Sequence, residues 1–229
     1  MDFALIGRNI VKLWLKYWDK FLITGLEYTL SLAAITVFFG AILGSLIALL
    51  RMSKVAPFRW IAATYTEIIR GTPMLLQLYL FYFALPQLSP FLNRKQYACV
   101  AIALTCNSAA YVSEIIRSGI QAVDIGQTEA ARSLGMSQSL TMTQIILPQA
   151  VKNILPALGN EFIMITKDTS LASTFFIGDL MTQCLLVKGT TYLTIEPLVI
   201  IAAIYFVVTF ILSKLVAAFE RRLRRGDIR

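Results

Sequence analysis

The sequence predicts an all-α membrane protein with five spans, and two observations carry that reading. Of its 229 residues 57% are hydrophobic and only 15% charged, with a mean hydropathy of +0.69. Soluble domains carry about 25% charged and about 45–50% apolar residues. The charges are also unevenly spread: residues 28–50 and 197–213 hold none. A helix needs about 20 apolar residues to cross the hydrocarbon core, and stretches of this kind supply them.

The same composition excludes several functions. There is no histidine, which removes the commonest metal ligand and general base; no catalytic site, metal or cofactor is expected in this chain. Cys99, Cys106 and Cys184 lie in or beside apolar segments and are read as small packing residues, not as a disulfide framework. The net charge of +8 does not point to nucleic acid. Lys214, Arg221, Arg222, Arg224, Arg225 and Arg229 all follow the last apolar run, where they predict a cytoplasmic anchor that attracts anionic headgroups.

Taken in order, residues 1–21 repeat Arg8, Lys12, Lys16 and Lys20 on one face and Ile6, Ile10, Leu13, Tyr17 and Phe21 on another. With Trp14 and Trp18, this predicts a helix lying in the membrane interface. It is not read as a cleaved leader, because the following apolar run is long and no small-residue cleavage site stands out. Five spans follow, at about 25–50, 60–86, 96–118, 149–186 and 195–218, in a single membrane domain covering 1–229. Gly40 and Gly44 have the spacing that permits close helix contact. Arg70-Gly71-Thr72-Pro73 breaks the second span, since proline removes a donor and clashes with the preceding turn. Pro156, Gly159 and the run Lys167-Asp168-Thr169-Ser170 are expected to break the fourth. Discontinuous helices at membrane depth line protein or a water-filled path, so both breaks are pathway candidates.

Five spans and a basic C-terminus inside predict an N-terminus outside, and Arg51, Lys54 and Arg59 after the first span agree. The four N-terminal basics, Arg94 and Lys95 run against it. Between the third and fourth spans, Asp124 and Gln127 offer a helix start, Glu129 to Leu134 are good helix formers, and Gly135 suits the left-handed closing position. This predicts a short cytoplasmic helix over about 126–135, either a docking surface or a mere connector.

Glu129-Ala130-Ala131, Gly135, Ile145, Leu147 and Pro148 reproduce the EAA-xxx-G-(nine residues)-I-x-L-P signature at every fixed position. The chain thereby resembles the membrane permeases of ABC importers. Glu67 to Pro73, Ser108 to Gly119 and Lys167 to Leu171 are similar to the branch of that family that takes up polar amino acids, the histidine, arginine, glutamine and cystine permeases. The resemblance covers about residues 20–225. It implies a type I importer architecture of five helices per subunit, paired with a second copy or a close homologue in a bacterial cytoplasmic membrane. It also implies two ATP-hydrolysing subunits, which would hold ATP and Mg2+, and an extracytoplasmic amino-acid-binding protein. No G-x-x-x-x-G-K-[ST] loop occurs here, so nucleotide chemistry would belong to those subunits. Glu129, Ala130, Ala131 and Gly135 would form the coupling helix resting on the ATPase.

Ionisable groups inside spans are costly and default to function. Glu161, with Asn160, is the first candidate for the ammonium or cationic side chain of the substrate, which would favour a basic amino acid; glutamine and cystine stay open. Its structural alternative is an interhelical hydrogen bond. Thr72 and Asn107 are candidates for the carboxylate. Arg70 is a further candidate, although Glu67 one turn away could pair with it. Lys167, Asp168, Thr169 and Ser170 are read as part of a gate, and Glu114 with Arg117 as a local pair. Two other classes are weaker. An intramembrane enzyme would need a nucleophile and base, and only Ser–Lys pairs or Asp168 with Asp179 remain. A channel or ion-coupled secondary transporter has no need of a docking helix.

Overall fold

A computed structural model describes residues 3–93 and 95–224, with only the backbone of Arg224. Arg94, Arg225 and Arg229, counted above among the basic residues, lie outside the described residues, as does the side chain of Arg224.

The described chain is helical throughout. A first helix, α1 (Phe3–Asp19), passes through a π-helical turn (Lys20–Gly25) into α2 (Leu26–Arg51). The expected interfacial helix is thus no separate element, because the helix runs on from Phe3 to Arg51. Its buried positions Leu13, Tyr17, Phe21, Gly25 and Thr29 recur every four residues, a spacing that drifts by about 40° per step on a 3.6-residue helix. The wider π turn absorbs part of that drift and keeps the face aligned. That face packs on protein: Leu13, Tyr17 and Phe21 join Leu180, Cys184, Val187, Ile200, Ile201 and Ile204 in one cluster.

After α2 come α3 (Ala56–Gly71) and α4 (Met74–Leu88), interrupted where the sequence predicts. Thr72 is extended at φ −115° and ψ 146°, as the residue before a proline prefers. Next are α5 (Gln96–Gln121), α6 (Ile125–Ser133), α7 (Gln138–Thr141), a π turn over Met142–Ile146, and α8 (Leu147–Asp168). Here an expectation fails. Helix α8 continues through Pro156 and Gly159, and the break comes only at Thr169, where the chain tightens into a 3-10 segment (Thr169–Phe175). Ile154 and Pro156 lie on the buried side of α8, and a Cβ at Gly159 would stand 2.7 Å from Val216. Packing on that side holds the helix through one missing hydrogen bond. The chain ends with α9 (Leu180–Thr191) and α10 (Ile195–Arg224). Among the described residues three helices are long and apolar enough to cross a membrane, and five spans result if each broken pair counts as one.

The chain divides into two compact units, residues 1–37, 73–105 and 163–212, and residues 38–72, 106–162 and 213–229. The first has two apolar clusters. One is that under α1; the other joins Leu32, Leu78, Val100, Leu104, Phe175 and Ile177, with Tyr82 stacked on Phe175 at 4.1 Å between ring centroids. Asp179, fully buried, starts α9 by accepting from the backbone N–H groups of Met181 at 3.0 Å and Thr182 at 3.4 Å. The second unit is held by small residues. A Cβ at Gly40 would lie 2.8 Å from Ser108 Oγ, and one at Gly44 would lie 2.7 Å from Val112. The pair therefore seats α2 against α5, as its spacing predicts.

Candidate functional site

The sequence motif falls on α6 and its exit, in the second unit. Asp124 caps the helix by accepting from the Gly126 N–H at 2.7 Å. The C-terminal end closes with two reversed bonds: Gly135 N–H to the Arg132 carbonyl at 3.0 Å, and Met136 N–H to the Ala131 carbonyl at 3.1 Å. That pattern needs a left-handed residue at the turn, and Gly135 supplies it at φ +81°. Arg132 Nη1 donates to the Met136 carbonyl at 2.7 Å, tying the exit turn to the helix. Ala131 is buried and anchors the inner face, while Glu129 and Ala130 are exposed. Ile125 is 73% and Leu134 86% exposed. Apolar side chains standing out at both ends of a rigidly capped helix, with Glu129 between them, suit a surface that another protein covers.

The same unit holds a buried carboxylate. Glu161, only 5% exposed, accepts from Ser108 Oγ at 3.0 Å, which links α8 to α5. Ser108 stands against Gly40, so three helices meet around this bond. Asn107, also buried, is the neighbouring residue on α5. Asn160 is exposed, so the adjacent pair Asn160 and Glu161 do not share an environment. Thr72 is exposed and its hydroxyl donates to the Ile68 carbonyl at 2.9 Å; it closes the end of α3. Tyr65 donates to the Cys106 carbonyl at 2.6 Å.

A second carboxylate organises the arginines. Glu114 pairs with Arg117 on its own helix, as expected, and with Arg51 from the end of α2. Arg70 lies 3.7 Å from Glu114 and over the Tyr111 ring. The expected Glu67–Arg70 pairing is replaced by this one, because α3 presents Arg70 to Glu114 on α5. The sequence offered no sign of Arg51 here, since it reads as one of several positive charges in a loop. Ser108 was visible only as part of a longer stretch, and nothing in its type marked it as Glu161's donor.

The expected gate residues lie in the first unit, where α8 gives way to the 3-10 segment. Lys167 is exposed and Asp168 half-buried. Thr169 donates to the Thr166 carbonyl at 2.8 Å, and the Ser173 hydroxyl to the Ser170 carbonyl at 2.7 Å. The segment ends at Phe176, which is left-handed at φ 52°. No group of three metal-ligating side chains occurs among the described residues.

Residues 29–225 match the family of binding-protein-dependent transport system inner membrane components. The chain belongs to that family. It is similar to the arginine transport system permease protein of Bacillus subtilis (strain 168), with 44% identity over 90% of this chain and 94% of that one. The nopaline transport system permease protein of Agrobacterium fabrum is 40% identical over 96% of this chain and 91% of its own. A crystal structure of an amino acid ABC transporter with histidines superposes with a TM-score of 0.83 at 46% identity, covering 91% of this chain and 96% of that one. An inward-facing methionine ABC transporter shares the fold at a TM-score of 0.66 and 18% identity. The chain is therefore a multi-pass membrane permease with the type I ABC importer fold, and the motif on α6 stands in this permease as an exposed, capped helix.

Proposed function

We propose that this permease translocates a polar, basic L-amino acid into the cytoplasm by alternating access, driven by two separate ATP-hydrolysing subunits. The observation that carries this reading is the capped, exposed helix α6 on a chain similar over nine-tenths of its length to an arginine permease. In this reading α6 is the coupling helix. Glu129 reaches the ATPase, Ala130 and Ala131 set the helix surface, and Gly135 fixes its exit. ATP and Mg2+ bind the ATPase and not this chain. A second permease subunit completes the pathway, and an extracytoplasmic binding protein delivers the substrate. The N-terminus lies outside and the C-terminal basic cluster in the cytoplasm.

Glu161 is the substrate's cation site, with Asn107, Asn160, Thr72 and Arg70 contributing along the path, and residues Lys167 to Ser170 form part of the gate. Support for the first assignment is chemical: a carboxylate buried in a membrane bundle is costly unless it has a cationic or hydrogen-bonding partner. The Ser108 hydroxyl supplies one such bond, and a guanidinium or ammonium group would add the charge complement that a hydroxyl lacks. ATP-dependent uptake of radiolabelled amino acids into vesicles containing the assembled transporter tests both points. Arginine, lysine or histidine uptake is expected, falling at least tenfold in Glu161→Gln, the order of loss for a charge-assisted bond worth about 1.5–3 kcal/mol. Unchanged uptake in that variant would leave Glu161 as a purely structural hydrogen-bond acceptor.

A further inference from the structure

Arg51 ends α2, Arg59 opens α3 and Arg117 lies in the last turns of α5. These helix ends surround one pocket of about 480 Å3, lined by the three arginines together with Trp60, Thr64 and Glu67. We propose that this pocket holds the phosphate of an anionic phospholipid, at a place lined neither by Glu161 nor by α6.

Charge gives the first reason. Among the described residues, Arg51, Arg59, Arg70 and Arg117 stand against Glu67 and Glu114, which leaves two positive charges unbalanced. Glu114 is shared by three of the arginines. Arg59 is exposed and forms no ion pair with a described residue, so its planar fork is free to take two phosphate oxygens. Arg51 and Arg117 are largely enclosed, with side-chain exposures of 17% and 29%. Glu114 holds both side chains in place on the pocket wall, and Arg117 Nη1 also donates to Gln121 Oε1.

Position gives the second reason and selects a lipid over a soluble anion. Arg51 and Arg117 lie at the ends of helices long and apolar enough to cross a membrane, which is headgroup depth in a bilayer, and Arg59 stands beside them in the first turn of α3. Beside the pocket, α3 exposes Phe58, Trp60, Ile61 and Ile68, all at least half exposed. Trp60 on the rim is the side chain enriched where acyl chains meet headgroups. A phosphodiester seated on the arginines would therefore lay its acyl chains along α3. Glu67 on the same wall repels anions, which places the phosphate nearer Arg59 and Arg51. Basic pockets between membrane helices recognise headgroups in this way.

Native mass spectrometry of the full chain, released from phosphatidylcholine nanodiscs carrying graded phosphatidylglycerol, measures retained lipid directly. Arg59→Gln is expected to weaken phosphatidylglycerol retention about tenfold, and Arg59→Lys less, since an ammonium keeps the charge but loses the fork. Arg222→Gln, in the C-terminal basic cluster, is expected to leave it unchanged. Inorganic phosphate added at equal concentration is expected not to displace the lipid. Equal retention in wild type and Arg59→Gln would overturn the proposal. So would equal losses in Arg59→Gln and Arg222→Gln, which mean diffuse surface attraction, or displacement by inorganic phosphate, which means a soluble anion site. Arg59→Gln that keeps its lipid but no longer assembles with an ATPase subunit would assign the pocket to a protein partner instead.

Discussion

The two units are packed by different means. In the first, the largest fully buried side chains are Phe21, Leu32, Leu78, Leu104, Ile165 and Leu180, all but Ile165 gathered in two apolar clusters. In the second, the buried residues are mostly small or polar: Ala48, Ala62, Ala109, Ala110, Ser108, Ser113, Asn107 and Glu161. Lipid tails are as apolar as leucine, so apolar burial alone does not bring membrane helices together; van der Waals fit and hydrogen bonds do. The first unit achieves fit by interlocking large side chains. The second achieves it by bringing backbones close at Gly40 and Gly44, which leaves room for hydroxyls and carboxylates at the contact. The residues with chemistry to offer, Glu161, Asn107, Glu114 and the arginines around it, accordingly lie in the second unit. The first unit also buries Asp179 and Glu196, but each is engaged locally: Asp179 starts α9, and Glu196 accepts from Asn9 Nδ2 at 3.0 Å.

Substitutions in each unit can break this contrast. Leu78→Ala removes a fully buried side chain from the first unit and is expected to have the largest effect on stability, about 2–5 kcal/mol. The measurement is the denaturant dependence of unfolding in detergent micelles. A change below about 0.5 kcal/mol, the spread ordinary at surface positions, would mean the cluster is loosely packed. Gly44→Ala places a Cβ 2.7 Å from Val112 and 2.8 Å from the Ala109 carbonyl, and overpacking of this kind costs about 1–3 kcal/mol. If the same assay shows Gly44→Ala to be harmless, the second unit is not held by backbone approach. The smallest expected effect is that of Gly135→Ala, about 1 kcal/mol, because only a local turn at φ +81° is strained. It separates shape from stability. Whole-chain melting should stay nearly unchanged, while ATP-driven uptake falls about fivefold if the exit of α6 must be held for coupling. Full uptake with an altered melting temperature would reverse that assignment.

Residues that act through local chemistry were legible beforehand. Thr72-Pro73 broke the second span, Asp124 and Gly135 bounded α6, and Gly40 with Gly44 made a helix contact. Each is a short-range rule about backbone dihedrals or the space a side chain takes. The misreadings share the opposite character. Pro156 and Gly159 carry the local signs of a break, yet packing at Ile154 and Val216 holds α8 through them. Residues 1–21 carry the signs of a helix that stops before the first span, yet they run on through a π turn into α2, and their apolar face packs on Leu180 and Ile200. Arg70 has Glu67 one turn away, yet takes Glu114 from α5.

By itself, then, the sequence determined that this is a helical membrane permease, where its second span is interrupted, and where the exposed motif helix begins and ends. Periodicity, proline, glycine and capping residues act within a few positions of themselves, so those features need no knowledge of what packs against them. Tertiary structure alone decided which partners the ionisable groups take: Ser108 for Glu161, and Arg51, Arg70 and Arg117 for Glu114. Such pairings depend on helices far apart in the chain arriving at one place. In a low-dielectric bundle the nearest opposite charge or donor, and not the nearest in sequence, sets where a buried charge is stable.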